Sequence, residues 1–235
     1  MWRSAPRRSV VPLVLSASAA IACARFAEVE GPGAGWAFLA YSLLKPLTTL
    51  IVIRHAWQLG RPGDRRRQAL LIGLLLSWVG DVALLWPQQG FLAGLVAFLL
   101  AHCAYLYAFT RSARLGAWPA AFVAYALLAA GVLSQLWPGV PTPLRVPVLV
   151  YVTCLAAMAA QAASAWWTVA EAGPRALAAR AALGGLLFLA SDAVLAFNRF
   201  HSPVPASALW ILATYWTAQW LIASSLPPRQ SPPAG

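Results

Sequence analysis

The chain is a succession of long apolar runs joined by short connections. Eight such runs stand out, at 10–27, 35–55, 69–86, 90–110, 118–136, 147–169, 176–197 and 205–226. A helix that crosses bilayer hydrocarbon needs about 20 mostly apolar residues. Inside hydrocarbon each such segment must also satisfy its own backbone donors and acceptors. The runs therefore predict an all-α polytopic membrane protein, with eight transmembrane helices in a single domain over 1–226. A short proline-rich tail, 227–235, is expected to be disordered and cytoplasmic. Composition agrees, since 61% of the 235 residues are hydrophobic and 10% are charged, against about 25% charged in an ordinary soluble domain. A Rossmann enzyme, a nucleic-acid-binding domain and a secreted disulfide scaffold are excluded.

The formal net charge of +11 is explained by where the cations fall. With the runs numbered in order, one side of the membrane receives Arg3, Arg7, Arg8, Arg54, Arg61, Arg65, Arg66, Arg67, Arg111, Arg114, Arg175, Arg180 and Arg229. The other side receives only Arg25, Arg145 and Arg199. Basic residues in short loops mark the cytoplasmic face. Both termini are thus expected in the cytoplasm of an inner (plasma) membrane protein, which requires an even number of spans. The charge reads as a topology signal and an attraction to anionic headgroups, with the lipid bilayer rather than nucleic acid as the partner.

Arg7-Arg8, an apolar run and then Ala20-Ile21-Ala22-Cys23-Ala24 also have the pattern of a cleaved signal peptide. A retained first helix is the expectation, because the apolar run continues through Phe26. The three cysteines, Cys23, Cys103 and Cys154, all fall inside predicted helices. They form no CxxC or Cys/His metal spacing, so they are read as small packing residues. No metal and no cofactor is expected.

In such a chain the informative positions are ionisable groups at depth, where a charge costs about 2.5–3.5 kcal/mol on insertion scales. Lys45, Asp81, His102 and Asp192 are these positions. At 1.5 Å rise per residue, both aspartates fall roughly 8 Å below the outer boundary, and Lys45, Tyr215 and His102 roughly 15–18 Å below it. One cavity that opens outward and reaches the midplane would gather them. In the fourth run Gly94, Phe98, His102, Tyr105 and Phe109 form a single helical stripe. In the second, Lys45-Pro46 is followed by Thr48-Thr49, and in the eighth Tyr215 and Gln219 lie one turn apart.

The sequence also echoes itself. Gly73-Leu-Leu-Leu-Ser-Trp-Val-Gly80-Asp81 is followed four helices later by Gly184-Gly-Leu-Leu-Phe-Leu-Ala-Ser191-Asp192. Tyr105 and Tyr215 follow their aspartates at nearly equal distance. The echo suggests a four-plus-four parallel repeat, whose interface is where membrane proteins often place a site.

Together these motifs resemble the lysoplasmalogenase (YhhN-like) family of small eight-helix membrane proteins. The resemblance rests on Lys45-Pro46-Leu47-Thr48-Thr49, Gly80-Asp81, Gly94-x3-Phe98-x3-His102-x2-Tyr105, Ser191-Asp192 and Arg199-Phe200, spread over about residues 40–200. It implies hydrolysis of the vinyl ether bond of a lysophospholipid substrate. The products would be a long-chain aldehyde and a glycerophosphoethanolamine or glycerophosphocholine.

The residues suit that chemistry. Protonation of the β-carbon of a vinyl ether gives an oxocarbenium ion, water adds, and the hemiacetal collapses to aldehyde and alcohol. This needs one carboxyl that carries a proton and one carboxylate that steadies the cation and activates water, as in glycoside hydrolysis. Asp81 and Asp192 are the candidate acid/base pair. Lys45 would hold the anionic headgroup or tune an aspartate, and His102, Tyr105 and Tyr215 would position water and substrate. The plainer alternatives are an ion pair of Lys45 with either aspartate that only fixes packing, interhelical hydrogen bonds from His102 and Tyr105, and an Asp192–Arg199 pair. An intramembrane aspartyl protease also uses two membrane aspartates, but Trp78-Val79-Gly80-Asp81 lacks the first glycine of GxGD. A small proton-coupled transporter would use Lys, Asp and His as a relay. With no GxSxG present, a serine-type lipase is not indicated.

Overall fold

The computed structural model describes residues 7–30, 35–86 and 88–229. Eight α-helices follow in order, with no named strand among the described residues: α1 Arg7–Glu30, α2 Gly35–Trp57, α3 Arg65–Ala83, α4 Phe91–Thr110, α5 Pro119–Leu136, α6 Arg145–Thr168, α7 Ala172–Phe200 and α8 Ser207–Ala223. The fold is that of an all-α polytopic membrane protein. Six helices are long and apolar enough to cross a membrane. The other two are α3, which carries Arg65, Arg66, Arg67 and Asp81, and α8, which has 17 residues. Their site polar groups, Asp81, Tyr215 and Gln219, are buried against other helices.

The neighbour relations follow the four-helix offset seen in the sequence. Helix α1 packs on α2 as α5 packs on α6, α2 on α3 as α6 on α7, and α3 on α4 as α7 on α8. Across the bundle, α8 meets α2 as α4 meets α6. The close approaches use glycine. A Cβ at Gly73 would lie 2.3 Å from the Tyr105 ring, and one at Gly80 would lie 2.6 Å from the Phe98 ring. In the second half Gly184 faces Ile222 and the Ala218 carbonyl of α8, and Gly185 faces Ala159 of α6. Gly94 likewise makes room for Leu84.

The core runs through Leu70, Leu74, Tyr105, Phe188 and Ile222. Helix α5 stands apart: only Ala121 and Leu136, near its two ends, are buried. Helix α1 is tied in by the Ser16–Thr48 hydroxyl contact at 2.7 Å. It also supplies Glu28, whose Oε1 accepts from Ser207 Oγ (3.0 Å) and Ala208 N (3.1 Å) at the start of α8.

Arginines of the basic side close helix ends. Arg67 donates to the Leu59 and Trp57 carbonyls at 2.9 Å each. Arg66 and Arg180 reach the Ser225 and Ser224 carbonyls at 3.1 and 3.0 Å. Cations at helix C-termini also oppose the helix dipole. The tail expected to be disordered from 227 is bound over its first three residues. Gly60 N donates to Pro227 O at 2.8 Å, Leu59 bridges Pro228, and Arg229 Nη2 donates to Trp57 O at 2.6 Å. Residues 230–235 of that tail lie outside the described residues.

Candidate active site

The two aspartates come from the helices the repeat pairs, α3 and α7. Each is held by the two helices that the offset would assign to it. Asp81 is buried, and its Oδ2 accepts from Thr49 Oγ1 of α2 at 2.6 Å and from Tyr215 OH of α8 at 2.8 Å. Its other oxygen faces Lys45 Nζ of α2 at 3.8 Å. Asp192 Oδ2 accepts from Tyr151 OH of α6 and lies 3.7 Å from His102 Nε2 of α4. Because the Tyr151 proton is directed at Asp192, the tyrosine oxygen takes the Nε2–H of His102, at 3.1 Å.

The polar network continues behind Asp81. Trp216 Nε1 donates to Thr49 Oγ1 at 3.2 Å, which fixes the threonine rotamer so that its own proton points at the carboxylate. Gln219 Nε2 donates to Tyr215 OH at 3.2 Å, and Gln219 Oε1 accepts from Tyr105 OH at 2.8 Å. Tyr105 therefore supports the site through Gln219 and Tyr215 and does not reach either aspartate.

A cavity of about 520 Å³ joins the two centres. Lys45, Asp81, Tyr215, Tyr151 and Asp192 all line it, and it reaches the arginine-poor helix ends at Glu28, Phe91 and Arg199. Its remaining wall is mainly apolar, from α5 (Val132, Leu136), α6 (Val152, Leu155) and α4 (Leu95, Phe98). His102 and Tyr105, expected to position water and substrate, lie behind this wall, fully buried. Phe188 packs edge-on to His102 with ring centroids 4.7 Å apart. The His102 Nδ1 has no hydrogen-bond partner among the described residues.

The two aspartates lie at different distances from the ends of their helices. Helix α3 stops two residues after Asp81, because the chain turns through Leu84–Trp86 and Gly90 N closes on Trp86 O at 2.7 Å. Helix α7 runs eight residues past Asp192, where Phe197 and Phe200 pack on the cluster of Leu136, Val140 and Val148. Asp192 therefore lies about 12 Å along its helix from the C-terminal end of α7, by the rise of 1.5 Å per residue. Arg199 forms no ion pair with Asp192; its guanidinium sits 4.0 Å from the Phe91 ring centroid.

Tyr151 and Thr49 are the contacts that sequence reasoning missed as site residues. Tyr151 had a signal. Tyr41 and Tyr151 are separated by 110 residues, as are Tyr105 and Tyr215, and Tyr41 also lines the cavity, its ring 5.8 Å from Lys45 Nζ.

Among the described residues no group of three or more His, Cys, Asp and Glu side chains is arranged to hold a metal.

The YhhN family model matches residues 40–226, which span every helix that contributes to the cavity except α1. The chain belongs to the YhhN family. Curated relatives of this YhhN-family chain include lysoplasmalogenases from mammals and mycobacteria. Lysoplasmalogenase TMEM86B of Sus scrofa is 35% identical over 187 residues, covering 80% of this chain and 74% of the relative. The lysoplasmalogenase of Mycobacterium tuberculosis is 32% identical over 224 residues, covering 81% of each. Lysoplasmalogenase TMEM86A of Homo sapiens is 34% identical over 167 residues, covering 69% and 67%. No solved structure matches the YhhN-family chain.

Proposed function

We propose that this protein is a membrane-embedded hydrolase that cleaves the vinyl ether bond of lysoplasmalogens. The products are a fatty aldehyde and a glycerophospho-alcohol. The observation that carries this reading is the pair of aspartates on one cavity, each with a different set of donors, in a family whose relatives are named lysoplasmalogenases.

The donor sets divide the labour. Both oxygens of Asp81 face donors or a cation, from Thr49, Tyr215 and Lys45. Asp81 is the carboxylate that steadies the oxocarbenium ion and takes a proton from the attacking water. Asp192 is engaged through Oδ2 only, and its Oδ1 has no protein partner among the described residues. Asp192 is the acid that protonates the β-carbon of the vinyl ether. Water then adds to the adjacent cationic carbon and loses its proton to Asp81. The hemiacetal collapses with proton transfer to the ether oxygen, releasing aldehyde and alcohol. Transfer of one proton from Asp81 back to Asp192 restores the starting state.

Lys45 sits too deep to serve as a headgroup contact, being buried against Asp81 and Tyr41. Its role is to offset the Asp81 charge. His102 and Tyr151 orient Asp192, and Tyr105, Gln219 and Tyr215 orient Asp81. We place the protein in the inner (plasma) membrane with both termini cytoplasmic, a reading that the arginine distribution supports. The apolar wall receives the alkenyl chain.

The reading is tested with purified protein in detergent and an alkenyl lysophospholipid, scoring free aldehyde. Aldehyde release with no turnover of the matching ester lysolipid is expected. A proton-coupled transporter would release none, and ester turnover would mark a different hydrolase.

A further inference from the structure

The outer end of the cavity holds a cation that the aspartate chemistry does not use. Three arginines lie on that side. Arg25 is ion-paired with Glu28, and Arg145 Nε donates to the Val140 carbonyl at 3.4 Å. Arg199 lines the cavity, is exposed, and has no protein acceptor for its guanidinium donors among the described residues. The guanidinium is flanked by aromatic rings, 4.0 Å from the Phe91 centroid and 5.9 Å from that of Phe200. Such stacking holds the plane while leaving the N–H fork open.

Asn198 stands beside it on the cavity wall. Its Oδ1 accepts from Val204 N at 2.9 Å, which orients the amide with its NH2 unclaimed. The rim carboxylate, Glu28, accepts from Arg25, Ser207 and Ala208 and makes no ion pair with Arg199. The Arg199 fork and the Asn198 amide thus offer unclaimed donors at the rim, suited to a phosphate.

The spacing also fits. Arg199 follows Asp192 by seven residues on α7, two helical turns and the same face, so about 10 Å separates them along the axis. In a 1-alkenyl lysophospholipid seven covalent bonds of about 1.5 Å separate phosphorus from the β-carbon of the vinyl ether, a zigzag of roughly 9 Å. A phosphate at Arg199 would place the protonated carbon at the level of Asp192.

We propose that Arg199, assisted by Asn198, binds the phosphate of the lysophospholipid and thereby sets which bond meets Asp192. The proposal rests on the hydrolase reading above. It predicts selectivity for phosphate-bearing lysolipids over headgroup-free alkenylglycerols.

The test compares wild type, Arg199→Gln and Arg199→Lys on a 1-alkenyl lysophospholipid and on the 1-alkenylglycerol of the same chain. Arg199→Gln should raise KM on the phospholipid about 10- to 100-fold, the weight of a charge-assisted contact. Its KM on the alkenylglycerol should stay unchanged, and Arg199→Lys should recover part of the loss. Equal effects on both substrates, or none on either, would overturn the proposal. Binding of a fluorescent ester lysophospholipid, set against its monoacylglycerol, reads the same site without turnover. Loss of phospholipid binding alone in Arg199→Gln supports the phosphate site even if wild type releases no aldehyde, in which case only the hydrolase reading fails. Unchanged binding of both probes overturns the phosphate site.

Discussion

Asp192 depends on a neighbour that hydropathy cannot reveal. Tyr151 joins Asp192 to His102 through one hydroxyl. Tyr151→Phe keeps the ring, its packing and the fold, and removes only that hydroxyl. We expect kcat to fall about tenfold or more, the weight of a hydrogen bond to the carboxylate that Asp192 becomes on giving up its proton, with KM held and the unfolding midpoint in detergent somewhat lowered by the loss of His102's acceptor. Equal activity in Tyr151→Phe would separate the hydroxyl from the chemistry. Lys45, Asp81 and Asp192 were legible in the sequence because charge is scarce there and costly at depth. Tyr151 and Thr49 were not, because an uncharged hydroxyl inside an apolar run carries no such cost and looks like ordinary interfacial or packing material. His102 was legible as a buried polar group, but its place behind the cavity wall, edge-on to Phe188, is a matter of packing with no signal in the sequence.

At the scale of elements, all eight helices were readable from apolar run length, while their ends were not. The α3–α4 turn shortens α3 by packing Ala83 against Gly90, where a Cβ would lie 1.9 Å from the Ala83 oxygen. That is tertiary information with no hydropathy signal. The cysteines read as packing residues give a direct probe of helix pairing. Cys103 of α4 and Cys154 of α6 are free thiols with Sγ atoms 3.5 Å apart. A disulfide requires about 2.05 Å, within reach of a small side-chain movement. Mild oxidation of the intact protein should remove those two thiols from maleimide labelling and leave Cys23 reactive. If both remain reactive, α4 and α6 do not pack as described.

At the scale of the whole molecule, the aromatic residues mark the two membrane interfaces, and the charge asymmetry is the basis of the proposed orientation. Exposed tryptophans ring both ends, with Trp36, Trp86 and Trp210 at one and Trp57, Trp166 and Trp167 at the other, as expected of interfacial belts. The cavity opens at the end poor in arginine. A C-terminal alkaline phosphatase fusion, active only outside the cytoplasm, should therefore be inactive, and a fluorescent-protein fusion at the same end should glow. An active phosphatase would invert the topology and place the cavity mouth on the cytoplasmic side. The fourfold offset was visible in sequence only as two short matching stretches. Its fuller expression, the same helix neighbours in each half, exists only in the packing.

The central claim is that Asp81 and Asp192 together perform the cleavage. Aldehyde release by purified wild type, Asp81→Asn and Asp192→Asn, each shown to unfold at the wild-type midpoint, tests it most directly. Each substitution should lower kcat by about 10²- to 10⁴-fold, the usual contribution of a positioned acid or base. A variant that folds like wild type and still releases aldehyde at the wild-type rate would contradict the account.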